Sequence, residues 1–279
     1  MRHIDHIVIA ARELDEAGDF YCRLGFQVGA RNRHPWGTEN RLVQFGSSFI
    51  ELITVAKNAV IPPFEERKFS FGAFVDNYLN RREGLAMLAL DSADATADAA
   101  LFAAEGIGFF EPFFFERKGR RTDGSETRVA FTLAFALDAK IPDAAFFVCQ
   151  QHFPQNFWDP GFQQHANGAA DISAVTLTVP QPVAHDDFFA AFCGSNSRET
   201  QGGNLVFPLN GGRIIVARDT REMGSSSATP QLTSFSVRIC DLSSQADRLR
   251  DAAIPFTAAG NRIVVPARAA FGVEVLFEH

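Results

Sequence analysis

An alternating segment at the start of the chain predicts its first strand. Ile4–Ala10 is rich in β-branched residues and has the short period typical of a strand. Apolar residues at helical spacing follow at 14–24 and predict an amphipathic helix, and Gly25 predicts the turn that ends it. Three more strands are predicted at 26–30, 41–45 and 49–55. The first unit of the chain is therefore a βαβββ module.

The same order of elements recurs three more times, and an internal repeat of this kind determines the fold. The later copies begin near Leu85, Ile172 and Leu232. The third copy contains Asn210-Gly211, a strong hairpin signal because both turn positions favour a positive φ. The repeat predicts an α+β protein made of four βαβββ modules that pair into two domains.

The copies differ in length, and the extra residues fall in the first half. Insertions are predicted near 56–83, 117–127 and 151–171. The last insertion is rich in aromatic and turn residues and is interpreted as a linker, with the domain boundary near residue 165. The predicted domains are residues 1–165 and 166–279. Because long loops on a regular scaffold commonly carry binding functions, we expect the functional site in the first half.

Composition narrows the classes of function. The chain has 279 residues, and its 26 Lys and Arg are outnumbered by 33 Asp and Glu, which argues against nucleic-acid and anionic-membrane partners. The start lacks a secretory pattern, and no run approaches the roughly 20 apolar residues of a membrane span. Four widely spaced cysteines form no C-x-x-C pair and indicate a reducing compartment. We expect a soluble, cytoplasmic protein, and its 29 Phe are enough to line an apolar cavity as well as the core.

Two short motifs in the first module resemble a known family. Asp5-His6 lies in the first predicted strand and Glu51-Leu52 in the fourth. With paired βαβββ modules, these motifs resemble the vicinal oxygen chelate superfamily, which includes glyoxalase I, extradiol dioxygenases and bleomycin-resistance proteins. The run at 34–40 resembles its glyoxalase-like branch. The resemblance implies two half-barrel domains, each a cup built from two modules.

The resemblance also implies a metal site in the first cup. In metal-dependent members, the ligands come from the first and fourth strands of each module, and His6 and Glu51 match these positions in the first module. Imidazole and carboxylate suit Zn²⁺, Fe²⁺, Mn²⁺ or Ni²⁺. The second module departs from the pattern, because Met87 matches His6 and residues 147–152 contain no carboxylate. His152 would supply a third ligand and complete the two-His-one-carboxylate set of non-haem iron sites.

The second pair of modules carries no such ligands. Ala174 and Ser234 occupy the positions that match His6. We therefore expect the C-terminal half to act as a scaffold, a lid or a dimer surface, and a homodimer is one expected assembly.

Each candidate ligand also has a structural interpretation. His6 lies in an apolar strand, where a hydrogen-bonded core histidine is common. Glu51 lies between apolar residues, and burial of its carboxylate is costly unless it is paired, coordinated or hydrated. For Glu51 we favour a functional role, as a ligand or as a catalytic base. For His152 a structural hydrogen bond is the favoured interpretation.

A polar and aromatic loop follows the second predicted strand of the first module. It forms either a simple turn or, because this loop overhangs the cup in the family, a substrate-binding surface. We favour substrate contact for its four chemistry-bearing residues, which are His34, Trp36, Thr38 and Asn40.

Two functions from different classes remain open. In the first, a divalent metal on His6 and Glu51, completed by His152 or water, binds a small, largely apolar oxygenated substrate in a lyase, isomerase or dioxygenase reaction. In the second, a metal-free protein of the same fold binds or sequesters a small molecule, or acts on it by acid–base chemistry alone.

Overall fold

The first sheet is built from the first half of the chain. The computed structural model describes residues 1–120, 126–220 and 229–279; the predicted turn at 117–127 thus lies partly outside the described residues. The first eight strands are β1 Ile4–Ala10, β2 Asn32–Arg33, β3 Thr38–Gln44, β4 Phe49–Val55, β5 Gly84–Asp91, β6 Phe113–Arg120, β7 Glu126–Ala136 and β8 Ala145–Gln151. They form one sheet in the order β2-β3-β4-β1-β5-β8-β7-β6.

The second sheet repeats this order with the second half of the chain. Its strands are β9 Asp171–Val179, β10 Glu199–Gln201, β11 Asn204–Leu209, β12 Gly212–Arg218, β13 Gln231–Arg238, β14 Thr257–Ala259, β15 Arg262–Val265 and β16 Glu274–Glu278. They are ordered β10-β11-β12-β9-β13-β16-β15-β14. The predicted α+β fold of four βαβββ modules, forming two half-barrels, is confirmed. The boundary near residue 165 falls between the sheets, and the exact domain limits stay a prediction.

Six α-helices connect these strands within the described residues. They are α1 Leu14–Arg23, α2 Phe71–Leu79, α3 Ala95–Ala104, α4 Pro154–Phe157, α5 Asp186–Cys193 and α6 Leu242–Asp251. The side chains of Asp94 and Asp241 accept hydrogen bonds from the first turns of α3 and α6, which fixes where these helices begin. No helix in the described ranges is long and apolar enough to cross a membrane.

The second strand of the first module differs from its prediction. A strand is predicted at 26–30, but pairing is limited to Asn32–Arg33. In the intervening segment Gly29 donates to the Leu42 carbonyl, while the backbone N–H of Gln27 donates to Nδ1 of His165. His165 of the linker therefore accepts the hydrogen bond from a backbone N–H that would pair with β3 in a regular strand.

The convex faces of the two sheets share one hydrophobic core. Ile7 of β1 and Val175 of β9 belong to the same fully buried cluster, and Phe26 stacks on Phe277 with ring centroids 5.9 Å apart. Helices flank this contact, as Phe102 of α3 meets Phe192 of α5 at 6.3 Å. Burial of each such side chain contributes about 1.5–3 kcal/mol. The face of each sheet that is not in this core points away from the other sheet, and among the described residues those that line the first cup all come from the first half of the chain.

The insertion predicted at 56–83 fills one end of the first cup. The side chain of Ser70 caps α2 by accepting from the backbone N–H of Ala73. Val75 and Tyr78 of α2 pack against Val8 on the concave face. At the opposite end, Phe157 of α4 contacts Phe49, with centroids 5.1 Å apart. A cavity remains between these two closures.

Candidate functional site

An irregularity in β1 directs two neighbouring polar side chains toward the same place. Ile4 pairs with Leu90 and His6 with Ala89, so Asp5 is an extra residue in the antiparallel pairing of β1 with β5. A bulge of this kind changes the direction of side chains that regular alternation would place on opposite faces. Asp5 and His6, only 2% and 5% exposed, consequently contact each other.

His6 has a fixed ring orientation in this contact. Its Nδ1 lies 2.5 Å from Oδ1 of Asp5, and its ring stacks on Phe49 at 4.2 Å and meets the edge of Phe147 at 5.2 Å. Because Nδ1 is engaged, Nε2 is the nitrogen left for other partners. His6 lines the cavity of the first cup.

The cavity has a volume of about 90 Å³ and is predominantly aromatic. Wider clefts of about 300 and 310 Å³ adjoin it on two sides. The first shares Trp36 and Phe113 with the cavity, and the second shares Asn32 and Arg117. The aromatic lining residues are Trp36, Phe49, Phe71, Phe113, Phe115, Phe131, Phe147 and Phe157.

Glu51 forms the polar end of the cavity. Its carboxylate is 6% exposed, and Oε1 accepts a hydrogen bond of 2.6 Å from Nδ2 of Asn40. Nε2 of His34 lies 4.0 Å from the same oxygen. Burial lowers the pKa of His34, an effect that the Glu51 charge opposes and the Arg117 charge reinforces. A neutral His34 at neutral pH leaves the Glu51 charge without a cationic side chain in contact among the described residues.

Three of the four residues predicted to bind substrate line the cavity, and the fourth supports them from behind. His34, Trp36 and Asn40 line the cavity. Thr38 is fully buried behind them, and its Oγ1 lies 2.8 Å from Nδ1 of His34, which fixes the imidazole. The turn itself depends on Gly37, whose φ of +88° lies in the region that favours glycine.

Trp36 brings an unpaired donor to this region. Its ring stacks on His34 with centroids 4.6 Å apart and meets Phe115 edge-on at 5.0 Å. The indole Nε1 is buried and lacks a hydrogen-bond partner among the described residues. Buried indole N–H groups usually have an acceptor, so this donor points to one that a ligand would provide.

A hydrogen-bond chain that the sequence did not suggest leads to Glu51. Nη1 of Arg117 donates to Oδ1 of Asn32 at 2.8 Å, and Nδ2 of Asn32 donates to Oδ1 of Asn40 at 3.2 Å. Asn40 then donates to Glu51. Asn32 precedes the recognised loop, and Arg117 lies on a distant strand, so only the sheet pairing brings them together.

His152 is not brought to the cavity. Its side chain is exposed, and Nε2 lies 2.7 Å from Oγ1 of Thr132. The structure thus places His6 and Glu51 on one cavity and leaves the predicted third ligand outside it, in the structural hydrogen bond that was its alternative interpretation.

Register identifies the two remaining positions of the implied metal centre. His6 pairs with Phe49, two residues before Glu51, and Met87 pairs with Ala145, two residues before Phe147. Met87 and Phe147 therefore match the ligand positions of the second module, and both are completely buried and apolar. Only two of the four positions carry donor side chains, whereas zinc sites use three or four protein ligands. The residues present do not fit the metal centre that the resemblance implies.

A second group of polar side chains lies beside His6. Asp5, His6 and Cys149 bring a carboxylate oxygen, an imidazole nitrogen and a sulfur within 4.8 Å of one another. Burial, reinforced by Asp5, raises the pKa of the Cys149 thiol well above its usual value. The sequence does not reveal this group, because the regular alternation of side chains in a strand would place Asp5 and His6 on opposite faces.

Comparisons with known proteins agree with this architecture. A family model described as a glyoxalase-like domain matches residues 4–193. No curated protein matches the sequence.

Solved structures resemble the chain in fold at low identity. A hypothetical protein from Staphylococcus aureus is 15% identical, with a TM-score of 0.65 over 100% of this chain and 99% of that one. A triple mutant of 4-hydroxymandelate synthase from Streptomyces coelicolor is 12% identical, with a TM-score of 0.63 over 100% and 93%. A xylose isomerase-like TIM barrel/4-hydroxyphenylpyruvate dioxygenase fusion protein is 15% identical, with a TM-score of 0.58 over 99% of this chain and 48% of that one.

Proposed function

Because this chain belongs to the glyoxalase-like domain family, within the vicinal oxygen chelate superfamily, we propose that its N-terminal cup binds a small, largely apolar oxygenated compound and moves a proton on it. The reaction would be of the isomerase or lyase type, with Glu51 as the general base.

The observation that carries this proposal is the buried carboxylate of Glu51 at the end of an aromatic cavity. Oε1 is held by Asn40, which leaves Oε2 for a ligand. A carboxylate within reach of a bound ligand can act as a general base when its geometry is suitable. Glu51 would take a proton from a carbon beside a carbonyl group, the electron pair of that C–H bond would move toward the carbonyl oxygen, and the proton would return at a neighbouring atom.

The lining indicates what the ligand must contain. Aromatic faces surround most of the cavity and favour an apolar body. The unpaired indole N–H of Trp36 favours an acceptor oxygen, and such a donor would stabilise negative charge that develops on that oxygen. These features support a ketone, an aldehyde or a related carbonyl compound with an apolar substituent.

Binding without chemistry is the second candidate function. The small volume of the cavity and its apolar wall, which includes Phe147, are the features that would suit it. A protein that only sequesters the compound would use the same lining and would not need Glu51 as a base.

Hydrogen exchange in D₂O tests the proposal. Aryl and alkyl ketones, aldehydes and 2-oxo acids would be incubated with the protein, and loss of the proton beside the carbonyl would be followed by NMR. We expect exchange with the parent protein and a loss of about 10²–10⁴-fold in Glu51→Gln, the usual contribution of a general base. Glu39→Gln is the matched control, because Glu39 lies on the adjacent strand, pairs with Arg31 and does not line the cavity.

Tryptophan fluorescence separates binding from catalysis in the same experiment. The chain has two Trp, so Trp158→Phe leaves Trp36 as the single reporter in the cavity. Quenching without exchange would favour sequestration. Exchange that is equal in Glu51→Gln and the parent would refute the role of Glu51.

A further inference from the structure

Three potential metal ligands converge on the wall of the first cup. Asp5, His6 and Cys149 are all buried, and their ligand atoms lie within 4.8 Å of one another. Among the described residues they are the only group of three or more His, Cys, Asp or Glu side chains with this geometry. Asp5 and Cys149 do not match the ligand positions that the family resemblance implies. We infer that these three side chains form a binding site for a zinc-like divalent cation, which shares His6 with the implied family centre and differs from it in its other two ligands.

The charge of Asp5 supports a cation at this point. Asp5 is 2% exposed, and its carboxylate contacts His6, the Cys149 thiol and Nε2 of Gln151, which donates to Oδ2 at 2.7 Å. No Lys or Arg of the described chain forms an ion pair with it. A buried carboxylate without a cation is costly, and a divalent ion would compensate it directly.

The three ligand types select the class of ion. Thiolate and imidazole favour Zn²⁺ and its spectroscopic substitute Co²⁺ over Mg²⁺ and Ca²⁺, which prefer oxygen ligands. Bond lengths of about 2.0–2.3 Å place the ligand atoms of one zinc ion roughly 3.5 Å apart, so small side-chain rotations would complete the site. The ion would replace the proton between Asp5 and His6 and the thiol proton of Cys149, and binding would release protons.

Two openings give access to this site. An open cleft of about 350 Å³ is lined by Asp5, Cys149, His3 and Asp91. The carboxylates of Asp5 and Asp91 would attract a cation into it. On the inner side, His6 and Cys149 line the aromatic cavity. An ion with three protein ligands would therefore have a fourth position available toward the ligand cavity, as catalytic zinc sites do.

Cobalt titration of the purified, chelator-treated protein tests this inference without any substrate. The measurement uses the Cys22→Ser/Cys240→Ser background, because those two thiols are exposed. We expect one equivalent of Co²⁺ to produce a thiolate-to-cobalt absorption band that Zn²⁺ removes. Cys149→Ser should abolish the band, and Asp5→Asn should weaken Co²⁺ binding at least about tenfold. Gln151→Leu, which removes the hydrogen bond that orients Asp5, should weaken it by about 10–100-fold.

Two control variants show whether Co²⁺ binds at Cys149 or elsewhere. Cys193→Ser removes a free cysteine that is equally buried but lies in α5, and it should leave the band unchanged. Glu51→Gln should also leave it unchanged, so this inference stands or falls separately from the proposed role of Glu51. The absence of a thiolate band in the folded parent, or Co²⁺ binding that is lost in Glu51→Gln and retained in Cys149→Ser, would overturn it.

Discussion

The environment of His34 links the burial of a single residue to the chemistry of the site. Burial lowers its pKa, although the nearby Glu51 carboxylate acts in the opposite direction. Thr38 holds Nδ1, and Trp36 covers the ring face. A neutral imidazole in this position leaves Glu51 free to accept a proton from a ligand, whereas a charged imidazole would compete for the same carboxylate.

The lowered pKa of His34 predicts a specific dependence of stability on pH. An unfolded chain protonates this histidine near its ordinary pKa of about 6.5, before the folded protein does. The contribution to the free energy of unfolding is thus complete above that value and is lost as pH falls through it, until the folded-state pKa is reached. Urea unfolding at pH 7.5 and 5.5 should therefore show a smaller acid-induced loss of stability in His34→Gln than in the parent.

The control for this prediction is His279→Gln, because His279 is exposed at the end of the chain. It should retain the parental pH dependence. An NMR titration in which His34 protonates at or above the value of free histidine would contradict the prediction.

At the same scale, several residues predicted from the sequence line the cavity, whereas Asp5 and Cys149 were not predicted. His6 and Glu51 were predictable because both are chemically unusual in apolar strands and fall at matching module positions. Asp5 was not, because its orientation depends on a bulge created by pairing with β5, about 80 residues away along the chain. Cys149 looked like an ordinary core residue, and only its contact with Asp5 distinguishes it.

At the scale of elements, the insertion predicted before β5 contains a helix, α2, that closes one end of the cup. The approach of α2 to the substrate-binding loop depends on Gly72, since a Cβ there would lie 2.4 Å from the backbone oxygen of Trp36. The sequence predicts neither this helix nor its docking, because its apolar residues are satisfied only by the concave face of the sheet.

The contact at Gly72 predicts an asymmetry between two helical glycines. Gly72→Ala should destabilise the protein by about 1–3 kcal/mol, the usual cost of overpacking, and should alter Trp36 fluorescence in the Trp158→Phe background. Gly18→Ala in α1 is the matched control, because the nearest atoms to its Cβ would belong to the end of the long Arg41 side chain and not to backbone. A gain in helix propensity of up to about 1 kcal/mol offsets that contact, so its stability should change little in urea unfolding.

Equal effects of the two substitutions, or an unchanged Trp36 signal in Gly72→Ala, would show that α2 does not depend on this close approach.

The strand predicted at 26–30 is absent for a comparable reason, because a long-range contact decides the local structure. Its sequence permits a strand, but His165 in the linker captures the backbone N–H of Gln27, a long-range partner that local patterns cannot reveal.

At the scale of the whole molecule, the two sheets share one core and are joined by polar contacts. The side chains of Ser47 and Ser48 donate to the carboxylate of Asp171 at the start of β9. Asn167 donates to the Leu24 carbonyl at 2.9 Å, and His185 pairs with Asp138 at 2.7 Å. These contacts connect the halves at several separate points and favour unfolding as one cooperative unit.

A core substitution in the second half should therefore loosen the first. Phe277 is completely buried and stacks on Phe26 across the sheets, so Phe277→Ala should lower the free energy of unfolding by about 3–5 kcal/mol. Hydrogen–deuterium exchange should accelerate in the central strands β1 and β5 as well as in β9 and β13. Val183→Ala, at a side chain that is 73% exposed, should change neither. Acceleration confined to the C-terminal half would mean that the halves unfold separately.

The back-to-back arrangement of the sheets also bears on how this sequence can evolve. Substitutions on the outward concave face of the second sheet touch neither the shared core nor the first cup, so selection for the first site does not restrain them. Ser234 and Ala174, at the positions that match His6, are buried but do not belong to the shared core cluster. A duplicated half of this kind can gain a new ligand while the original half keeps its own, and directed evolution of the second cup should therefore preserve the stability and chemistry of the first.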